Sequence, residues 1–170
     1  SAVVVCYRSI VLAGDTAPLD ALADALAARG LATMVVFVPS LKSPNAAQWV
    51  RRELTCRTPD VILNATAFAA RDGEAGSPLD GADCPILQLT MAQSSFEVWS
   101  ASKRGLGAAD LAMHVALPEM DGRISAGAIS FKECAHGDPD LDFKPFATRL
   151  IKRASSMQLR SPRLGHVFGG

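Results

Sequence analysis

Three residues within eight positions, His114, Glu119 and Asp121, bring an imidazole and two carboxylates together in the stretch "MHVALPEMDG". Such groups exchange protons near neutral pH and hold divalent cations, so the trio could serve proton transfer or metal handling. Each also has an ordinary structural reading. His114 fits a strand whose ring bonds to backbone, Glu119 a carboxylate at a strand end, and Asp121-Gly122 a hairpin turn. On residue types and spacing alone, both readings stay open. The other histidines offer less, because His136 sits in a polar turn and His166 in an unpatterned tail, and neither has a ligand-type partner at zinc spacing.

The elements that must position these residues alternate regularly. "AVVVCY" (2–7), "LATMVVFVPS" (31–40), "DVILNATAF" (60–68) and "CPILQLTMA" (84–92) are short apolar runs that suit strands covered on both faces. "LAMHVALPE" (111–119) reads as a fifth strand, and "RISAGAISFK" (123–132) as a sixth in a hairpin. Between the first two strands, Asp15 or Thr16 can cap a helix carrying Leu19, Leu22, Ala23 and Leu26 on one face, ended by Gly30. Ser43-Pro44 opens a second, with Ala46, Trp49, Val50 and Leu54 on its apolar face, and "SFEVWSAS" (95–102) a short third. This rhythm predicts an α/β fold: an open, mostly parallel sheet of about five strands with helices on both faces, flavodoxin-like or Rossmann-like, plus a hairpin strand. "RDGEAGSPLDGAD" (71–83) reads as a mobile surface loop. Residues 1–145 read as one domain, and 146–170 as a helix built on Phe146, Leu150, Ile151 and Met157 followed by an irregular tail.

Composition excludes several classes. Seventeen basic residues balance seventeen acidic ones, so no net field recruits nucleic acid or an anionic membrane. No apolar run approaches the ~20 residues of a membrane span, and the first residues, "SAVVVCYRS", lack the basic start and cleavage site of a signal peptide. Cys6, Cys56, Cys84 and Cys134 are scattered and read as reduced, structural thiols of a cytoplasmic protein. The loop after the first strand, "YRSIVLAGDTAP", has one glycine and three bulky apolar residues, which disfavours a phosphate cradle. In such sheets ligands bind beyond the carboxyl ends of the strands. That places Tyr7, Arg8, Ser40, Lys42, Asn64, Thr66, Thr90, Gln93, Glu119 and Asp121 on the rim.

Four stretches, "VLAGDTAPLDALADALAARGL", "VFVPSLKSPNAA", "DVILNATAFAA" and "RGLGAADLAMHVALPEMDGRISAGAISFK", resemble in order and spacing the family of CobN, the large subunit of aerobic cobaltochelatase, itself related to the large (H) subunit of magnesium chelatase. The resemblance covers about residues 3 to 133, while residues 71–83 and the tail after Pro145 do not follow it. It implies an internal segment of a much longer subunit. That subunit inserts Co2+ into the corrin hydrogenobyrinic acid a,c-diamide in cobalamin biosynthesis, while AAA+-type partner subunits hydrolyse ATP with Mg2+. It further implies Glu119 as the catalytic carboxylate that accepts ring protons. His114, Glu119 and Asp121 become transient metal ligands, and Arg8, Asn64, Thr66 and Gln93 line the corrin's side arms, Arg8 through a charge-assisted hydrogen bond. Two other readings compete: a scaffold that docks partners through exposed Ile10, Phe96 and Trp99, and a flavodoxin-like binder of FMN or a similar ligand.

Overall fold

The computed structural model describes residues 1–71, 73, 76–133 and 147–150. The strands are β1 (Ala2–Tyr7), β2 (Thr33–Val38), β3 (Val61–Asn64), β4 (Ile86–Ala92), β5 (Ile124–Glu133) and β6 (Ala147–Leu150), in the sheet order β2-β1-β3-β4-β5-β6. The first five are parallel and β6 pairs antiparallel with β5. The order 2-1-3-4-5 reverses direction between β1 and β3, and a crevice opens at such a reversal. The sheet is therefore the α/β sheet expected from sequence.

Helices cover both faces. On one side α2 (Ala17–Ala27) lays Leu19, Leu22 and Leu26 on Val4, Cys6, Leu63 and Leu89. On the other, α3 (Pro44–Arg57) sets Val50 and Leu54 against Val3, Val5, Val36 and Ile62. β1 feeds both clusters from alternate residues, which is why a continuous valine run suits it. Proline in the first turn starts both helices, at positions whose N–H groups have no helical partner. The Cys6 thiol, sealed in the core, is pushed up to about 12 by burial and is an inert filler. Cys56 and Cys84 are free thiols as well. No helix among the described residues is long and apolar enough to cross a membrane.

Several expectations change. The stretch 111–119 is not a strand. It belongs to a helical run in which α5 (Ala108–Leu111) passes into a π-helical turn (Ala112–Ala116) and then α6 (Leu117–Glu119). The buried positions are Asp110, His114 and Pro118, four apart, while Leu111 is exposed. Polar residues thus occupy the inner face and an apolar one the outer, and the hydrophobic pattern points the wrong way. The fifth parallel strand is instead β5, and Asp121-Gly122 turns a helix into a strand rather than closing a hairpin. β5 bulges against β4, with Gly127 at φ 90° beside the shift.

The helix expected beyond Pro145 is replaced at Ala147–Leu150 by β6, because backbone pairing along β5 outweighs a weak apolar spacing; the rest of that tail, with His136 and His166, lies outside the described residues. The second half of the 71–83 segment is packed rather than mobile. Leu79 is fully buried with Ala82, and a 3-10 turn at Asp80–Ala82 lies against α3. Trp49 is exposed rather than on the buried face of α3. Phe96 and Trp99, on α4 (Phe96–Ala101), are half-buried and not free contacts, because both rings pack on buried Phe131, Phe96 edge to face and Trp99 tilted, with centroids 5.7 and 5.0 Å away. Ile10 also packs partly into the core.

Candidate functional site

A cleft of about 420 Å³ opens at the carboxyl ends of β1, β3, β4 and β5, where the strand order reverses. Its walls are mainly apolar, with Ile10, Phe68, Met91 and Met113 among the residues that line it. Two buried polar side chains line it. His114 is 6% exposed and Ser130 is 0% exposed, and His114 Nδ1 and Ser130 Oγ have no hydrogen-bond partner. A buried polar atom without a partner costs about 1–3 kcal/mol, so such atoms are rare in structural cores. Burial pushes the His114 imidazole below its ordinary value, and the nearby Asp110 carboxylate opposes this only in part. The ring is therefore held towards its neutral form, in which one nitrogen can accept a proton.

The rim is organised from β4 and β5. The backbone N–H of Gln93 donates to Asp110 Oδ2 at 3.0 Å, and Lys132 Nζ donates to Gln93 Oε1. Tyr7 closes the β1 side, its hydroxyl donating to the Ala67 carbonyl at 2.9 Å, and burial raises its pKa.

Beneath one wall lies a polar network whose members are occupied with one another. Asn64 Nδ2 donates to Gln88 Oε1 at 2.7 Å, and Gln88 Nε2 donates to the Thr66 carbonyl at 2.7 Å. Thr66 Oγ1 donates to Asn64 Oδ1 at 2.9 Å. Arg123 reaches Gln88 Oε1, the Phe68 carbonyl at 3.3 Å, and Asp121 Oδ2 at 2.9 Å. Asp121 also accepts from the backbone N–H groups of Ala70 and Arg71. The Arg123–Asp121 pair is almost wholly buried. Burial lowers the guanidinium's pKa and the Asp121 charge opposes that shift. The network fastens the segment after β3 to the turn before β5.

The helix is fastened to the same segment by an unusual route. In the π-turn, Leu117 N–H bonds to Ala112 O, and the next donor that could serve Met113 O would be residue 118, a proline. The freed Met113 carbonyl instead accepts the Phe68 N–H at 2.8 Å.

The site residues expected from sequence therefore separate. His114 and Gln93 line the cleft. Asn64 and Thr66 are buried in the network and are not among its lining residues; Arg8 is exposed at the start of α1 (Arg8–Leu12), also outside it. Glu119 is exposed at the end of α6 and does not line the cleft, and Asp121 is committed to Arg123 and two amides. Among the described residues no group of three His, Cys, Asp or Glu side chains is gathered as a metal cage, so His114, Glu119 and Asp121 do not form one. Sequence reasoning passed over Phe68, Ser130 and Arg123. The motifs "NATAF", "ISFK" and "DGR" contain them, but only the fold brings them to one place.

The CobN/Magnesium Chelatase family model matches residues 1–166. The chain belongs to this family. It is 42% identical to the CobN subunit of the aerobic cobaltochelatase of Sinorhizobium sp over 80% of its length, and 30% identical to the H subunit of the magnesium chelatase of Cereibacter sphaeroides over 68%. It spans about a tenth of those relatives, 11% and 10% respectively. Among solved structures, it superposes on the catalytic subunit of cobaltochelatase from Mycobacterium tuberculosis with a TM-score of 0.72 at 26% identity, covering 91% of this chain and 13% of that one. The chain thus corresponds to a segment of a chelatase subunit of the CobN type.

Proposed function

We propose that this chain supplies one wall of the tetrapyrrole- and metal-handling site of a cobaltochelatase large subunit, with Co2+ and the corrin hydrogenobyrinic acid a,c-diamide as substrates. The observation that carries the reading is the apolar cleft floored by unpartnered His114 and Ser130. Its volume lies towards the small end of ligand sites, which suits the edge of a large ring completed by other domains of the subunit.

Insertion requires two ring N–H protons to leave and the metal to shed water. Glu119, an exposed carboxylate, is the proposed proton acceptor and transient ligand, acting where the rest of the subunit closes over the ring. His114 and Gln93 meet the ring from the cleft, and Arg8 pairs with an acidic side arm. ATP and Mg2+ belong to AAA+-type partner subunits; the segment after β1 is the short helix α1 and carries no glycine-rich phosphate cradle. The reaction takes place in the cytoplasm.

Fluorescence-quenching titrations of this chain and of the full-length polypeptide with the diamide corrin test the reading, with a magnesium-pathway porphyrin as control. Selective saturable binding is expected, and absence of corrin binding by both would remove the reading. In the full-length subunit, Glu119→Gln should slow chelation by about a hundredfold or more. An unchanged rate would take Glu119 out of the chemistry.

A further inference from the structure

Phe68 is held in a conformation that its residue type resists. Its φ is 65°, in the left-handed region that costs a non-glycine residue roughly 1–2 kcal/mol. The strain is imposed from both sides. The Phe68 N–H is taken by the Met113 carbonyl that Pro118 leaves over, and its carbonyl is taken by Arg123. Arg123 is fixed in turn by Asp121 and Gln88. Two separate segments, the helical run at Met113 and the turn before β5 at Arg123, thus converge on the backbone of one residue.

The side chain does not repay this by packing. Phe68 remains 48% exposed, an aromatic ring on the wall of the cleft, although glycine would satisfy the backbone without strain. The same cleft contains the buried, unpartnered His114 Nδ1 and Ser130 Oγ. An exposed aromatic face beside neutral polar atoms matches a flat conjugated ring carrying a polar substituent.

We propose that Phe68 is the stacking face of the cleft: its ring receives the face of a flat conjugated ligand, whose polar edge reaches His114 and Ser130. The inference deepens the tetrapyrrole reading and rests on it for the natural ligand, but the geometry asks only for a conjugated ring. Phe68 is here a binding residue, while Arg123, Asp121 and Pro118 are positioning residues that hold its backbone.

The test uses the full-length polypeptide and two probes, hydrogenobyrinic acid a,c-diamide and the tricyclic dye proflavine. Both are titrated by fluorescence against wild type, Phe68→Gly and Phe68→Trp, with thermal unfolding recorded for each. Phe68→Gly should weaken both probes about tenfold or more while leaving the unfolding temperature unchanged or raised. Phe68→Trp should restore binding to within about threefold of wild type. Equal affinity in wild type and Phe68→Gly would overturn the stacking role while leaving the tetrapyrrole reading intact. Binding of proflavine alone, lost in Phe68→Gly, would uphold the aromatic face and overturn the tetrapyrrole reading. Binding of neither probe by wild type would overturn both.

Discussion

Two sets of buried polar side chains occupy adjoining parts of the fold and behave oppositely. In the network of Asn64, Thr66, Gln88, Asp121 and Arg123, every residue is hydrogen-bonded to another member or to backbone. In the cleft, His114 and Ser130 are as deeply buried, yet each has a side-chain atom without a partner. Burial is common to both, so burial does not mark the site. What separates them is how far they are satisfied: each network side chain is held by internal bonds, with Arg123 Nε the one network atom left without a partner, whereas the floor keeps hydrogen-bonding capacity that a ligand can use.

The contrast predicts that the network sets stability and the floor sets binding. The largest effect is expected for Arg123→Leu, which strands the Asp121 carboxylate in the interior and should cost about 3–5 kcal/mol in urea unfolding. Pairing it with Asp121→Leu should recover part of that loss, and a double-mutant cycle with no coupling would deny that the two act as a unit. Gln88→Leu removes one shared acceptor and one donor and should cost about 1–3 kcal/mol by the same measurement.

Ser130→Ala belongs to the other set. It should shift stability by no more than roughly 0.5 kcal/mol, because no hydrogen bond of the hydroxyl is lost. A loss as large as that of Gln88→Leu would erase the distinction between the two regions. The smallest effect is a pH dependence. His114 has a lowered pKa in the fold, so the unfolded chain takes up a proton that the folded one resists. Stability is therefore full above the ordinary histidine value of 6.5 and falls as pH drops through it, until the folded ring also protonates. His114→Gln should flatten this part of the stability profile, and an unchanged slope would place the titration elsewhere.

How far the sequence foretold this depends on which way each residue faces. β1 to β4 are continuous apolar runs, α2 carries its leucines and α3 its Val50 and Leu54 at helical spacing, and all six were legible because apolar side chains point inward there. The run 111–119 misled because Asp110 and His114 face inward and Leu111 outward: Asp110 accepts the Gln93 N–H and His114 lines the cleft. Pro118 reads as a stop, yet it sits inside a helical run and releases a carbonyl for Phe68. Gln93 was placed on the rim because the loops beyond parallel strands are where ligands bind, and His114 was singled out by its residue type; both line the cleft. Ser130 and Phe68 were missed because an unpartnered hydroxyl and a positive φ have no signature in residue order.

The most direct test of the central claim follows the His114 imidazole by NMR in the full-length polypeptide as hydrogenobyrinic acid a,c-diamide is added. The ring signals of His114 are expected to shift in a saturable manner, and Ser130→Ala is expected to weaken the titration. Saturable binding of the corrin with the His114 signals unmoved would show that the ligand lies elsewhere, and that the unpartnered floor is not its site.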